Sequence, residues 1–271
     1  MSNLDYSTEA LAVRPEFFDG RVVLAVEDKD DGHFWGIIAN WFGVRSKVKI
    51  ESKFGVENVM KVLREHSSSN YFIARDRDYS FPLDDDGPDR ILLTFGHSIE
   101  NTLCHPIILS RCLASALRDL DFDDEQVFTW LDRSLSSIRS LVAVNLSRET
   151  EPPPLQDHPG RYLTNSGRSD CCTLCEEKVE AESEQYREIL NVERVQEFLA
   201  EAEDDSLVVR RAIPGHFLLA LCRNHFHKAR GEGTSVQDFM DRLFEGLQTL
   251  LDQLLDEFDY YRGQVEKFSF N

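Results

Sequence analysis

The sequence predicts an α/β fold, a small parallel sheet flanked by helices and followed by a mainly helical C-terminal region. Three observations carry this prediction. The apolar runs Val22-Val23-Leu24-Ala25-Val26 and Tyr71-Phe72-Ile73-Ala74 are continuous rather than alternating, as strands buried on both faces require. Segments with apolar residues at helical spacing intervene between strands through roughly the first hundred residues. From about residue 106 onward the helical period alone persists.

After a short polar lead, residues 21–27 read as the first strand, and Asp31 to Phe42 carries Phe34, Ile37, Ile38 and Trp41 at helical spacing. Lys47 to Lys53 alternates charge with Val48, Ile50 and Ser52, which suits an edge or half-exposed strand. Gly55 opens a second helix through Val59, Val62 and Leu63, ended by the turn-forming Ser67-Ser68-Ser69-Asn70. The third strand is 71–75, a breaker-rich loop spans Pro82 to Pro88, and the fourth strand is Ile91 to Thr94. These elements place a catalytic domain at 1–105 and a helical region at 106–271.

In the helical region, segments near 106–119 and 124–146 come first, the second with Val127, Phe128, Leu131, Leu135, Ile138 and Val142 in one stripe. An irregular connector near 147–170 contains Glu151-Pro152-Pro153-Pro154. Helical patterns near 176–203, 215–229 and 235–259 follow. The last repeats Val236, Met240, Leu243, Leu247, Leu250, Leu254 and Phe258, a stripe that packs into a parent core more often than it pairs subunits.

No stretch approaches eighteen uninterrupted apolar residues, and Met1 to Asp5 has neither a basic flank nor an apolar signal core, so the expectation is a soluble, cytoplasmic protein. A formal net charge of −19 repels nucleic acid at long range, so a nucleic-acid substrate has to be held by a local basic surface or by metal-bridged phosphates. Local basic clusters exist at Arg45, Lys47, Lys49 and Lys53, and at Arg223, His225, His227, Lys228 and Arg230. Six unevenly spaced cysteines do not form the pattern of a disulfide framework.

The chemistry is concentrated at two strand ends. Glu27 closes the first apolar run, and Asp76-Arg77-Asp78 closes the second about fifty residues later. Parallel strands deliver such residues to one sheet edge, where open α/β sheets bind their ligands. Crowded carboxylates repel unless a divalent cation lies between them, and hard oxygen donors suit Mg²⁺ or Mn²⁺. A metal-dependent phosphoryl-transfer enzyme is the first expectation. The Asp-x-Asp text alone is weak, since it often marks a solvated turn. Its weight comes from the apolar strand before it and from Glu27 in an equivalent place.

This arrangement resembles the TOPRIM domain of topoisomerases, primases and OLD-type nucleases, in which a strand-end Glu precedes Asp-x-Asp. Three blocks extend the likeness: Val26-Glu27-Asp28-Lys29-Asp30-Asp31-Gly32-His33-Phe34-Trp35, Ile73-Ala74-Arg75-Asp76-Arg77-Asp78-Tyr79, and Thr94-Phe95-Gly96-His97-Ser98-Ile99-Glu100-Asn101. They are similar to the TOPRIM-related family that includes AriB, the effector of the PARIS anti-phage system. The likeness covers about the first 105 residues.

The resemblance implies a TOPRIM-like sheet domain in which Glu27 is the catalytic acid/base, Lys29 and Asp31 belong to the same catalytic block, and Asp76 and Asp78 hold Mg²⁺. Glu100 would be a further metal ligand, or a first-turn glutamate of a helix capped by Ser98. The family's first block usually reads Glu-Gly-Lys-x-Asp, and Asp28 stands here in place of the glycine. A side chain in that tight turn bears on Lys29 and Asp31. The implied function is an antiviral abortive-infection toxin, held by an ABC-type ATPase sensor resembling AriA, then released, dimerised and directed at host tRNA. Topoisomerase or primase activity would need modules for which 271 residues leave little room.

Cys172, Cys175, Cys222 and His225 form two pairs with ligand spacing, with Cys171 and His227 as spare donors, and such a set would favour structural Zn²⁺. Two other accounts compete with the nuclease. A nucleotide-sugar glycosyltransferase also uses Asp-x-Asp for its metal but assigns Glu27 no role. A non-catalytic acidic partner-binding protein would leave its carboxylates facing solvent.

Overall fold

The computed structural model describes residues 21–65, 70–78, 89–119, 121–147, 150, 152–155, 159–160, 163–164, 173–231 and 233–268. The polar lead, the Ser67 to Ser69 turn, the Pro82 to Pro88 loop, Glu151, Cys171, Cys172 and most of the connector lie outside the described residues. The chain forms two compact units, one from residues 1–76, 85–94 and 255–271, the other from 77–84 and 95–254.

The first unit is built on four parallel strands, β1 (Val22–Val26), β2 (Val48–Ser52), β3 (Tyr71–Arg75) and β4 (Ile91–Leu93), in the order β2-β1-β3-β4. Every residue of β1 is buried, as its continuous apolar run requires of a central parallel strand. The alternating β2 lies at an edge. Helix α1 (Lys29–Trp41) joins β1 to β2, and α2 (Val56–Glu65) joins β2 to β3. The first crossover runs from β1 out to β2 and the second runs back across β1 to β3, so right-handed connections put the two helices on opposite faces.

On one face Val59 of α2 packs with Ala25, Ile73, Ile91 and Leu93, flanked by Met60, Val62 and Leu63. Alternation sends Leu24, Phe72 and Leu92 to the other face, where Phe72 meets Phe268 edge-on at 5.1 Å. The last helix, α12 (Leu255–Glu266), belongs to this unit: Tyr261 packs edge-on against Phe34 at 5.4 Å and Trp35 at 5.6 Å, and Phe258 meets Phe42 at 5.0 Å. It also hydrogen-bonds the strands, since Gln264 Oε1 accepts from Leu93 N at 3.1 Å and Tyr260 donates to Leu93 O at 3.2 Å. The C-terminal segment of the chain therefore completes the sheet unit instead of extending the helical one.

The second unit is helical: α3 (Ile99–Leu103), α4 (Pro106–Leu117), α5 (Glu125–Ser147), α6 (Glu176–Glu184), α7 (Arg187–Leu190), α8 (Glu193–Asp204), α9 (Ser206–Ala212), α10 (Gly215–Arg230) and α11 (Val236–Leu250). The long α5 is its spine, touching α4, α6, α7, α8 and α9. Its buried Asn145 pins the connector by exchanging two hydrogen bonds with the backbone of Leu155, at 3.0 and 3.1 Å. The segment predicted as one helix near 176–203 is three, broken at Gln185–Tyr186 and Asn191–Val192. The one predicted near 235–259 is interrupted by a 3₁₀ turn at Leu251–Gln253. Among the described residues, no helix is long and apolar enough to cross a membrane.

Candidate active site

Adjacent strands β1 and β3 run parallel with Ala25 opposite Ile73. Glu27 therefore leaves the sheet two residues beyond that pair and Asp76 three residues beyond it, at the same carboxyl edge. From β1 the chain crosses to β2 on one side, and β3 and β4 lie on the other. The β1/β3 gap is thus the point where the winding reverses, the place where open α/β sheets form a ligand crevice. Both residues are half-buried, and Asp76 Oδ1 is fully covered.

The end of β1 is closed over by the turn that follows β2. Lys53 N donates to Val26 O at 2.9 Å, and the carbonyl of Glu27 accepts from Phe54 N at 2.7 Å and Gly55 N at 3.3 Å. Ser52 Oγ donates to Asp28 O at 2.7 Å. Four consecutive residues of this turn thereby fix the backbone that carries Glu27.

Asp28 has a local role that the sequence motif concealed. It is the N-cap of α1, its Oδ1 accepting from Asp30 N at 2.8 Å and Asp31 N at 3.0 Å, while Asp31 Oδ2 accepts from Asp28 N at 3.2 Å. This reciprocal capping box satisfies helix-end N–H groups, and the acids of the first turn favour the positive end of the helix. One oxygen of Asp31 is therefore engaged in holding α1. Lys29, the first helical residue, is exposed.

Asp76 and Asp78 differ in setting. Asp76 follows β3 in the sheet unit, whereas Asp78 belongs to the helical unit, is exposed, and takes a left-handed conformation with φ of 53°. Its N–H donates to His97 O at 2.8 Å. Arg77 between them is fully buried. Among the described residues, no three His, Cys, Asp or Glu side chains gather as a metal-binding group.

Glu100 lies in the helical unit within a buried polar cluster. Its Oε2 accepts from Ser98 Oγ at 2.5 Å, and its Oε1 lies 3.4 Å from His216 Nδ1. The carboxylate thus sits at the N-terminus of α10, whose first residues are Gly215 and His216. Beside it, Asn101 Nδ2 donates to Arg210 O at 2.6 Å and Ile213 O at 2.9 Å, and Arg210 Nη1 donates to Asn101 O at 2.8 Å. The block Gly96 to Asn101 is consequently a clamp on the α9–α10 junction. The sequence pointed to Glu100 and to Ser98 as a helix cap, but not to Asn101 or Gly215. Asn101, three residues after Ser98, was the available signal, because its Oδ1 accepts from Ser98 N at 2.8 Å in capping geometry.

Of Cys172, Cys175, Cys222 and His225, the last three lie among the described residues. Cys172 lies outside the described residues. Cys175 is the half-buried N-cap residue of α6. The buried Cys222 thiol is hydrogen-bonded with Cys104, whose own thiol pKa is pushed well up by burial, then by Cys222 and Glu100. The His225 ring stacks on Trp130 with centroids 3.8 Å apart, and burial, with Lys228 adding to it, lowers its pKa to about 4. Among the described residues, Cys175, Cys222 and His225 are not gathered as a metal-binding group. Comparison of the sequence with protein-family models and with curated proteins gives no match.

Proposed function

We propose that this protein is a Mg²⁺-dependent (or Mn²⁺-dependent) TOPRIM-type nuclease that hydrolyses phosphodiester bonds. The observation that carries the reading is the emergence of Glu27 and Asp76 from neighbouring parallel strands at the β1/β3 winding reversal. Mg²⁺ is commonly held by one or two carboxylates together with substrate phosphate oxygens and water, so hard oxygen donors at this edge fit the ion without a closed protein cage. Asp76 would hold the ion, which would neutralise charge on the scissile phosphate. Glu27, its backbone fixed by the β2–α2 turn, would move a proton to or from the reacting oxygen. Lys29 is exposed in the first turn of α1 and would meet a phosphate by charge.

By its three sequence blocks the chain resembles PARIS-type toxic effectors. We extend the proposal to tRNA as substrate and to an ABC-type ATPase sensor as the partner that restrains the nuclease before release as a dimer. The test is incubation of the free protein with total tRNA and with plasmid DNA, in Mg²⁺ and in chelator. Mg²⁺-dependent cleavage that Glu27→Ala abolishes, with the circular dichroism spectrum retained, supports the reading. Intact substrates in every condition, or cleavage unchanged by Glu27→Ala, overturn it.

A further inference from the structure

The turn that closes over Glu27 contains a residue that the proposed chemistry does not use. Phe54 adopts a left-handed backbone with φ of 57°, and Gly55 follows at 117°. A bulky side chain in that region is a genuine outlier, because its Cβ crowds the neighbouring carbonyl. Burial does not compensate here, since Phe54 remains 69% exposed. Both departures are unfavourable, and both meet in one residue.

The conformation is held from three sides. Phe54 N donates to Glu27 O at 2.7 Å, and Asn58 Nδ2 donates to Lys53 O and to Phe54 O, each at 3.1 Å. Glycine already occupies the next position, so the turn could have placed its permissive residue one step earlier; instead it displays an aromatic ring. Val56, the first residue of α2, is 41% exposed beside it in the chain. Lys53 Nζ is paired with Glu51 at 2.7 Å, so the charge of the residue before Phe54 is offset. Backbone strain persists where surrounding contacts over-determine it, and it gathers at ligand-binding positions.

We infer that Phe54 is a stacking platform for an unpaired nucleobase of the substrate strand, next to the phosphate handled by Glu27. The inference rests on the nuclease reading above and adds a substrate class to it: a strand whose bases are splayed out. An aromatic face stacks on any base, because every base presents a π surface, whereas a continuous duplex keeps those surfaces covered. One hydrogen bond, Phe54 N to Glu27 O at 2.7 Å, joins the backbone of the platform to the backbone of the proposed catalytic residue.

The experiment uses the 271-residue chain carrying Glu27→Gln so that strands stay intact. Adding Phe54→Trp provides a fluorophore, read against the same protein without it. Short single-stranded RNA and DNA are compared with the same strands made abasic. Quenching by the base-bearing strands, and none by the abasic ones, is expected, with RNA and DNA arms showing which sugar is preferred. Phe54→Ala should weaken binding of base-bearing strands by about tenfold or more, by the usual worth of one base–aromatic stack, and leave abasic strands unaffected. Phe54→Gly separates this from a structural role: it should weaken binding equally while holding or raising the melting temperature, because glycine relieves the left-handed backbone. Equal binding with and without bases, no binding of any strand, or a melting temperature that falls in step with affinity overturns the inference. Failure of the nuclease reading is seen separately, as absence of cleavage by the protein with Glu27 intact.

Discussion

Gly215 lies so close to Ser98 that a Cβ at position 215 would stand 1.8 Å from Ser98 Oγ and 2.6 Å from Glu100 Oε2. The first residue of α10 therefore touches the N-cap of α3 with no room for a methyl group. The same clamp repeats at Gly96, where a Cβ would stand 2.6 Å from Asn101 Cβ and 3.0 Å from Arg211 O. His97 N donates to that Arg211 carbonyl at 2.6 Å. At Gly215 the nearest atoms are side-chain atoms bonded to each other, Ser98 Oγ donating to Glu100 Oε2 at 2.5 Å. Gly215→Ala should destabilise the protein by about 1–3 kcal/mol, the usual range for overpacking. Urea unfolding of Gly215→Ala, Ser98→Gly and the double variant measures it. Because Ser98 supplies the nearest atoms, Ser98→Gly should recover part of the loss, giving a non-additive cycle.

Asp28 gives a prediction that separates helix capping from catalysis. Its side chain accepts from two N–H groups of α1. Asp28→Ala should destabilise by about 1 kcal/mol, while Asp28→Gly should cost only a few tenths. Neither should abolish cleavage, since the cap holds the helix and not the reacting groups. Loss of activity in Asp28→Gly with unchanged melting temperature would move Asp28 into the chemistry.

What the sequence disclosed, and what it hid, follows from the range of the interactions. Strands β1 and β3 were legible because burial on both faces leaves an uninterrupted apolar run. The edge placement of β2 was legible because its outward side chains alternate with apolar ones. The break at Leu251–Gln253 was hidden, because Leu247, Leu250, Leu254 and Phe258 keep the helical period across it. The return of α12 to the sheet was hidden too: Tyr261 against Phe34 and Trp35 is a pairing of residues more than two hundred positions apart. At the site, Glu27 and Asp76 could be read from local strand ends, whereas the parting of Asp76 from Asp78 between two units could not. The left-handed backbone at Phe54 also escapes a reading by residue type, since glycine, asparagine or aspartate is its usual mark.

Two half-buried histidines should give the helical unit an acid-sensitive stability. Burial, with Lys228 adding to it, lowers His225 from the ordinary imidazole value to about 4, and burial with Arg210 holds His105 well below that value. A depressed folded-state pKa means that the unfolded chain binds the proton more readily. The contribution is therefore complete above the unfolded value of about 6.5 and is lost as pH falls toward the folded one. For His225 the loss between roughly pH 6.5 and 4 should be on the order of 1–3 kcal/mol. His225→Phe preserves an aromatic partner for Trp130 and removes the titrating group. Denaturant unfolding across this window should show a shallower pH slope in the variant, with the remaining slope carried by His105 and the carboxylates. An unchanged slope would mean that His225 is solvated when the protein is folded.

The cysteines should divide sharply by reactivity. Cys104, Cys112 and Cys222 are 0%, 5% and 1% exposed, and Cys175 is half-buried. Burial pushes the Cys112 thiol up to about 12 and the Cys104 thiol well above its ordinary value. Alkylation proceeds through the thiolate and needs access to it, so both conditions fail at these two positions. Brief iodoacetamide treatment of the native protein, followed by peptide mapping, should label Cys175 and leave Cys104, Cys112 and Cys222 intact until denaturant is added. Cys222 is the informative member, because α10 carries it beside Cys104 while the N-terminus of the same helix meets Glu100. If Cys222 were labelled as fast as Cys175 in native buffer, α10 would be opening locally, and the clamp formed by Ser98, Asn101 and Gly215 would have to be the part that gives way.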